Sequence, residues 1–192
     1  MTEADGPVSP LVVRDMTLAD CDRVAEIRIR GWQRAYRGLM PQPYLDALSV
    51  AEDAERRRAL FGRADGGVVN LVAVGAPRGP SRHRGNAGAV IGWAALGPYR
   101  DGEIRTGDAE LYAIYVDAGH LGTGVGRALL QESVRLAGAR GQSRLYLWVL
   151  KENAPARRFY ERAGFRADGA EEPFEVDGAV VPEVRYVRRL TG

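Results

Sequence analysis

Glu110-Leu111-Tyr112-Ala113-Ile114-Tyr115-Val116, then Asp117-Ala118-Gly119-His120-Leu121, then Gly122-Thr123-Gly124-Val125-Gly126-Arg127-Ala128-Leu129-Leu130: this stretch decides the fold. An apolar, β-branched run reads as a strand over 109–116, and an apolar helical pattern follows from Thr123 to Ala139. A second apolar strand is predicted over 144–150. Strand, helix and strand make a βαβ unit, so the two strands should be parallel with a right-handed crossover. The glycines permit positive φ and close backbone approach. Several N–H groups can then converge at a helix N-terminus, where the macrodipole favours an anion. A pyrophosphate fits that chemistry, with Arg127 placed to neutralise it. Taken alone the turn is weak evidence. A dinucleotide fold also puts glycines after a strand, but near the chain start and with an acidic residue about 20 positions on. A Walker-type loop is excluded because no Gly-Lys-Ser/Thr follows. A plain strand-to-helix turn is the simplest alternative.

Downstream lies Leu147-Trp148-Val149-Leu150-Lys151-Glu152-Asn153, followed by Ala154-Pro155-Ala156-Arg157-Arg158-Phe159-Tyr160-Glu161-Arg162-Ala163-Gly164-Phe165. Asn153 is an N-cap candidate, Pro155 suits a first helical turn, and Gly164 sits where a terminating glycine belongs. Short strands are predicted at 165–167, 174–176 and 183–190. Upstream, Leu11-Val12-Val13 reads as a strand and Thr17-Leu18-Ala19-Asp20 as a capping box with Asp in place of Glu. Val24, Ile27, Trp32 and Tyr36 recur at helical spacing until Gly38 and Pro41. One further helix is predicted over 44–60, and strands over 68–74 and 89–96. Residues 76–87 read as a flexible loop and 97–108 as a turn-rich connection. The chain is therefore expected to be an α/β protein: a loose tail at 1–10, then a single domain over 11–192 with a mixed sheet and helices on both faces.

Composition narrows the function classes. The 192 residues suffice for one sizeable core, and 45% hydrophobic with 27% charged residues is ordinary for a globular protein. One cysteine, Cys21, excludes an internal disulfide framework, and two histidines, His83 and His120, exclude a His-rich metal centre. A net charge of +2 does not call for nucleic acid. Lys151 is the only lysine, and the arginine excess reads as the codon usage of a GC-rich genome, as in many bacteria, rather than as a phosphate-binding device. No signal-like start and no bilayer-length apolar run is present, so a cytoplasmic protein with no membrane partner is expected.

The two segments together resemble the GCN5-related N-acetyltransferase superfamily. The family's turn is Gln/Arg-x-x-Gly-x-Gly/Ala, and its second signature is a strand, a helix-starting Asn, then Phe-Tyr and Gly-Phe. Both occur here, in order, within 109–165. One position departs: Leu121 stands where the family has Gln or Arg. The resemblance implies a mostly antiparallel sheet, acetyl-CoA as co-substrate, no metal, and a small-molecule or peptide amine as acceptor. It leaves a homodimer open.

By the same resemblance, Ile114, Tyr115 and Val116 border a splayed strand edge that receives the pantetheine arm, and the Val116 N–H faces the oxyanion. Leu121, Gly122, Thr123, Gly124, Val125, Gly126 and Arg127 would surround the pyrophosphate, with Thr123 adding a hydroxyl. Asn153 would bond the arm as well as cap its helix. Tyr160 matches the tyrosine that protonates the leaving thiolate; a phenol with pKa of about 10 keeps its proton at neutral pH. The alternative for Tyr160 is an aromatic packed in the core. Glu110 is the candidate general base, with an ion pair as its alternative and Glu103 as a weaker choice. Trp32, Tyr36 and Arg37 would line the acceptor site, Trp32 and Tyr36 by stacking or cation–π contact, unless these two belong to the core. His120 is expected in solvent, and His83 has no assigned role. A second class, a non-catalytic acetyl-CoA sensor, shares all the binding residues and lacks only turnover.

Overall fold

The computed structural model describes residues 11–61, 67–75, 88–101 and 104–190. The anticipated tail 1–10, the loop 76–87, His83 and Glu103 lie outside the described residues. Among these residues, β1 (Val12–Asp15), β2 (Val69–Gly75), β3 (Ala89–Asp101), β4 (Ile104–Val116), β5 (Arg144–Leu150), β6 (Arg166–Val176) and β7 (Ala179–Arg189) form one sheet. The order is β1-β2-β3-β4-β5-β7-β6. Every pairing is antiparallel except β4 with β5, which is parallel across the predicted βαβ unit. The helices are α1 (Cys21–Ala35), α2 (Gln42–Ala47), α3 (Val50–Phe61), α4 (Val125–Ala139) and α5 (Ala154–Arg162).

Period-two alternation sorts the strand residues into two cores. Leu71, Ala73, Ala94 and Leu96 face α4, against Val125, Leu129 and Leu130. Val72, Trp93 and Ala95 face the opposite way, against Val24 and Ile27 of α1. Each fully buried leucine of α4 contributes about 1.5–3 kcal/mol by leaving water. The entry to α1 is fixed by Asp20, whose carboxylate accepts from the Thr17 N–H at 2.7 Å and its hydroxyl at 2.8 Å. Asn153 caps α5 by accepting from the Ala156 N–H at 3.3 Å, and Gly164 closes the helix at φ 84°.

Three expectations change. Residues 97–108 are mostly strand, not a connection: β3 and β4 run long on either side of 102–103. Gly97 and Pro98 are there for packing rather than turning. A Cβ at Gly97 would lie 2.7 Å from the Tyr112 hydroxyl, which donates to the Pro98 carbonyl at 2.5 Å. The expected helix 44–60 is two helices, because Leu48 is extended (ψ 124°) and the Ser49 hydroxyl accepts from the Glu52 N–H at 3.3 Å to start α3. The two short strands at 165–167 and 174–176 are the ends of β6, joined through a register shift between Ala167 and Glu171 where Gly169 takes φ 93°.

Candidate active site

The parallel ladder between β4 and β5 is only two residue pairs long, Ala109–Leu145 and Glu110–Tyr146. Beyond it the strands part. A register shift at Ala95/Leu96 leaves Tyr112 as an extra residue on β4 at the point of parting, and such a bulge bends its strand. The Asp117 N–H goes to Ile91 of β3 at 2.8 Å. Amide directions alternate along a strand, so the N–H groups of Ile114 and Val116 point the other way, into the gap that β5 has left. The gap is a cleft of about 1190 Å³.

One end of the cleft is the glycine turn. Gly122 and Gly124 hold φ of 75° and 92°, and Gly124 is the N-cap of α4. Leu121, Gly122, Gly124, Gly126 and Arg127 line the cleft, as do Ile114, Tyr115, Val116 and Asn153. Thr123 and Val125 do not. The Thr123 hydroxyl donates to the His120 carbonyl at 2.7 Å, and Val125 is core. His120, expected in solvent, is buried against the cleft. Its Nδ1 lies 3.2 Å from the Asp117 carboxylate, and its buried Nε2 has no partner among the described residues. Backbone donors, Arg127 and that Nε2 make an end suited to an anion.

The other end is aromatic. Tyr36 and Tyr115 share a hydroxyl–hydroxyl bond of 3.1 Å, and both line the cleft. Gly31 makes room: a Cβ there would sit 2.7 Å from Tyr115 Cδ1. Trp32 lies outside the cleft wall, edge-on to Tyr36 at 5.1 Å between centroids and near Phe174 at 6.4 Å. Arg37 is also outside, on an exposed crevice with Arg30, Gln33 and Arg34. Tyr160 is buried, lines the cleft, and its hydroxyl has no partner among the described residues. Burial pushes its phenol well above the ordinary value, as it does for Tyr115.

Two carboxylates differ sharply. Glu110 is buried at the apex where β4 and β5 still pair, and it is not part of the cleft wall. Arg100 holds it through Nη2 at 2.7 Å, Nε at 3.2 Å and the backbone N–H at 3.2 Å. Glu183, which the sequence reading passed over, lines the cleft from β7. Burial first, then the charges of Glu172 and Glu110, push its carboxyl up from 4.5 to about 7. A lone acidic residue in the strand Val180-Val181-Pro182-Glu183-Val184 carries no local signal for this; it reads as the polar side of an edge.

Comparison with known proteins agrees with this geometry. The model of the Acetyltransferase (GNAT) family matches residues 32–165, more than half of the chain. The chain belongs to the GNAT acetyltransferase family. A relative, the uncharacterized N-acetyltransferase YuaI of Bacillus subtilis, is 31% identical over 174 residues, covering 91% of this chain and 90% of its own. The mycothiol acetyltransferase of Beutenbergia cavernae is 46% identical over 56 residues, which is 29% of this chain and 19% of that protein. Among solved structures, the PaiA N-acetyltransferase of Thermoplasma acidophilum in complex with coenzyme A superposes with a TM-score of 0.66 at 19% identity, over 94% of this chain and 99% of that one. Among the described residues there is no helix long and apolar enough to cross a membrane, and no cluster of potential metal ligands.

Proposed function

We propose that this GNAT chain is a cytoplasmic enzyme that transfers the acetyl group of acetyl-CoA to a primary amine by direct attack. The observation that carries the proposal is Tyr160: a buried phenol, unpartnered among the described residues, that lines a cleft whose one end suits an anion. The turn amides, Arg127 and His120 would hold the pyrophosphate, and Asn153 with the free edge of β4 would hold the pantetheine arm. The Val116 N–H would stabilise the charge on the carbonyl oxygen. Because Tyr160 keeps its proton across the physiological range, it can deliver that proton to the departing sulfur. Glu110, committed to Arg100, is read as a structural ion pair.

Incubation with acetyl-CoA and a panel of amines, reading free thiol release and thermal stabilisation, tests this. Stabilisation by acetyl-CoA with turnover of at least one amine is expected. Stabilisation without turnover would favour an acetyl-CoA sensor, and no stabilisation would overturn both.

A further inference from the structure

The proposal above leaves open what takes the proton from the acceptor and what kind of amine fits. The charges around the aromatic end bear on both. Several cations around it already hold a carboxylate, while Arg34 on α1, which lines the cleft, has no ion pair among the described residues. Arg28 binds Asp53 at 2.9 Å, Arg100 binds Glu110 at 2.7 Å, Arg185 binds Asp168 at 2.8 Å, and Lys151 binds Glu171 at 2.9 Å. Glu183 holds none. It sits on β7 between Leu150 of β5 and Glu172 of β6, its side chain half-buried in the cleft wall and without a hydrogen bond or ion pair among the described residues. Directly across the strand pair, the exposed Glu172 has no ion pair among the described residues either. The groups that face Glu183 from neighbouring elements are Glu172 on β6, the neutralised Glu110 on β4, and the Tyr36 hydroxyl on α1. Glu183 and Glu172 thus have no ion pair among the described residues and stand next to neutral phenols, while Arg100, whose charge also reaches Glu172, is bonded to Glu110.

We infer that Glu183 is the proton acceptor of the reaction, and that the acceptor is a cationic amine with no carboxylate on the carbon that bears the nitrogen. The inference rests on the acetyl-transfer reading. An ammonium group is drawn to Glu183, while a zwitterionic amino acid brings its carboxylate against Glu183 and Glu172. The Glu183 carboxylate takes one proton from the ammonium. The neutral nitrogen bonds the thioester carbonyl carbon, and the C–S bond breaks with its electron pair on sulfur. Tyr160 gives its proton to that sulfur and regains one from the new amide nitrogen. The proton on Glu183 leaves to solvent. Ammonium and thioester thus become amide, thiol and one free proton. A carboxyl that ionises near neutrality, as burial and its acidic neighbours make this one, both accepts that proton and releases it.

Two matched pairs test the substrate class: agmatine against arginine, and 2-phenylethylamine against phenylalanine. Each amine should exceed its amino acid in kcat/KM by about 10-fold or more, and Glu172→Gln should narrow the gap. Equal rates within both pairs would overturn the class. Glu183→Gln should lower kcat/KM by about 100-fold at pH 7, with the deficit shrinking as pH rises and solution supplies the free amine. A deficit independent of pH would overturn the proton role.

Stability gives a readout that needs no acceptor. A raised carboxyl contributes stability that is full below 4.5 and lost by about pH 7. The wild type should therefore lose Tm relative to Glu183→Gln between those values, and parallel Tm curves would remove the premise. If the wild type acetylates amines but Glu183→Gln does so equally well at pH 7, only this inference falls. If acetyl-CoA neither stabilises the wild type nor is consumed, the acetyl-transfer reading falls first.

Discussion

At the glycine-turn end of the cleft the groups proposed to bind are backbone amides, held by Gly122 and Gly124 inside one βαβ unit. At the aromatic end the lining groups are side chains, Tyr36, Tyr115, Tyr160 and Glu183, from the C-terminal cap of α1 and from β4, α5 and β7. A backbone device needs a local φ pattern, and local φ leaves its mark in sequence as glycine spacing. A side-chain device needs only that distant segments meet. The first kind should therefore fail through conformation and binding, the second through chemistry.

The largest break is expected at Tyr160. Tyr160→Phe keeps the ring and removes the proton, so kcat should fall by about 10²–10³-fold with acetyl-CoA affinity within about twofold. Steady-state kinetics with a calorimetric Kd checks this, and equal loss in both would make Tyr160 a packing residue. Next comes Gly124→Val at φ 92°. A β-branched residue in the left-handed region costs on the order of 1–2 kcal/mol before any lost amide contact. Acetyl-CoA affinity should fall by about 30-fold with kcat at saturation little changed, as measured by isothermal titration and kinetics.

Glu110→Gln sharpens the contrast between the two carboxylates. It breaks a charge-assisted network to Arg100, so about 1.5–3 kcal/mol of stability should go, read by urea unfolding. Its rate should retain the pH limb near 7 that Glu183→Gln is expected to alter. The smallest effect is a gain. Leu121→Arg restores the family's residue at an exposed position on the cleft rim and should tighten acetyl-CoA by about threefold at low salt, fading as salt rises.

The same contrast explains what the residues announced in advance. The βαβ unit, the parallel pairing of β4 with β5, the Asn153 cap and the Gly164 stop were all legible, because each rests on a spacing or a conformational preference confined to a few positions. The split at Leu48 was missed, although Ser49, three residues before Glu52, is the signal that marks it. Gly97 and Pro98 misled because a glycine can serve a neighbour's ring as readily as a turn, and only the strand opposite shows which. An ion pair was the alternative reading for Glu110, but its partner Arg100 was not legible, and neither was the place of Glu183 in the cleft wall. Arg100 reaches Glu110 across a hairpin, and Glu183 meets Tyr36 only through tertiary assembly. His120 was misjudged for a different reason: it is buried beside Asp117, only three residues back, whose carboxylate lies 3.2 Å from its ring.

The parting of β4 from β5 has a consequence for how such a chain can vary. With two residue pairs joining them, the sheet is two plates on a single seam, and the angle between the plates is set by what fills that seam. Ala109 and Leu145 lie there with no exposed surface. Geometry is thus held by buried residues at the apex, and the proposed chemistry by residues along the limbs. The limbs can exchange side chains freely without closing the slot, whereas a bulkier residue at the apex would reset the width for every group in it at once.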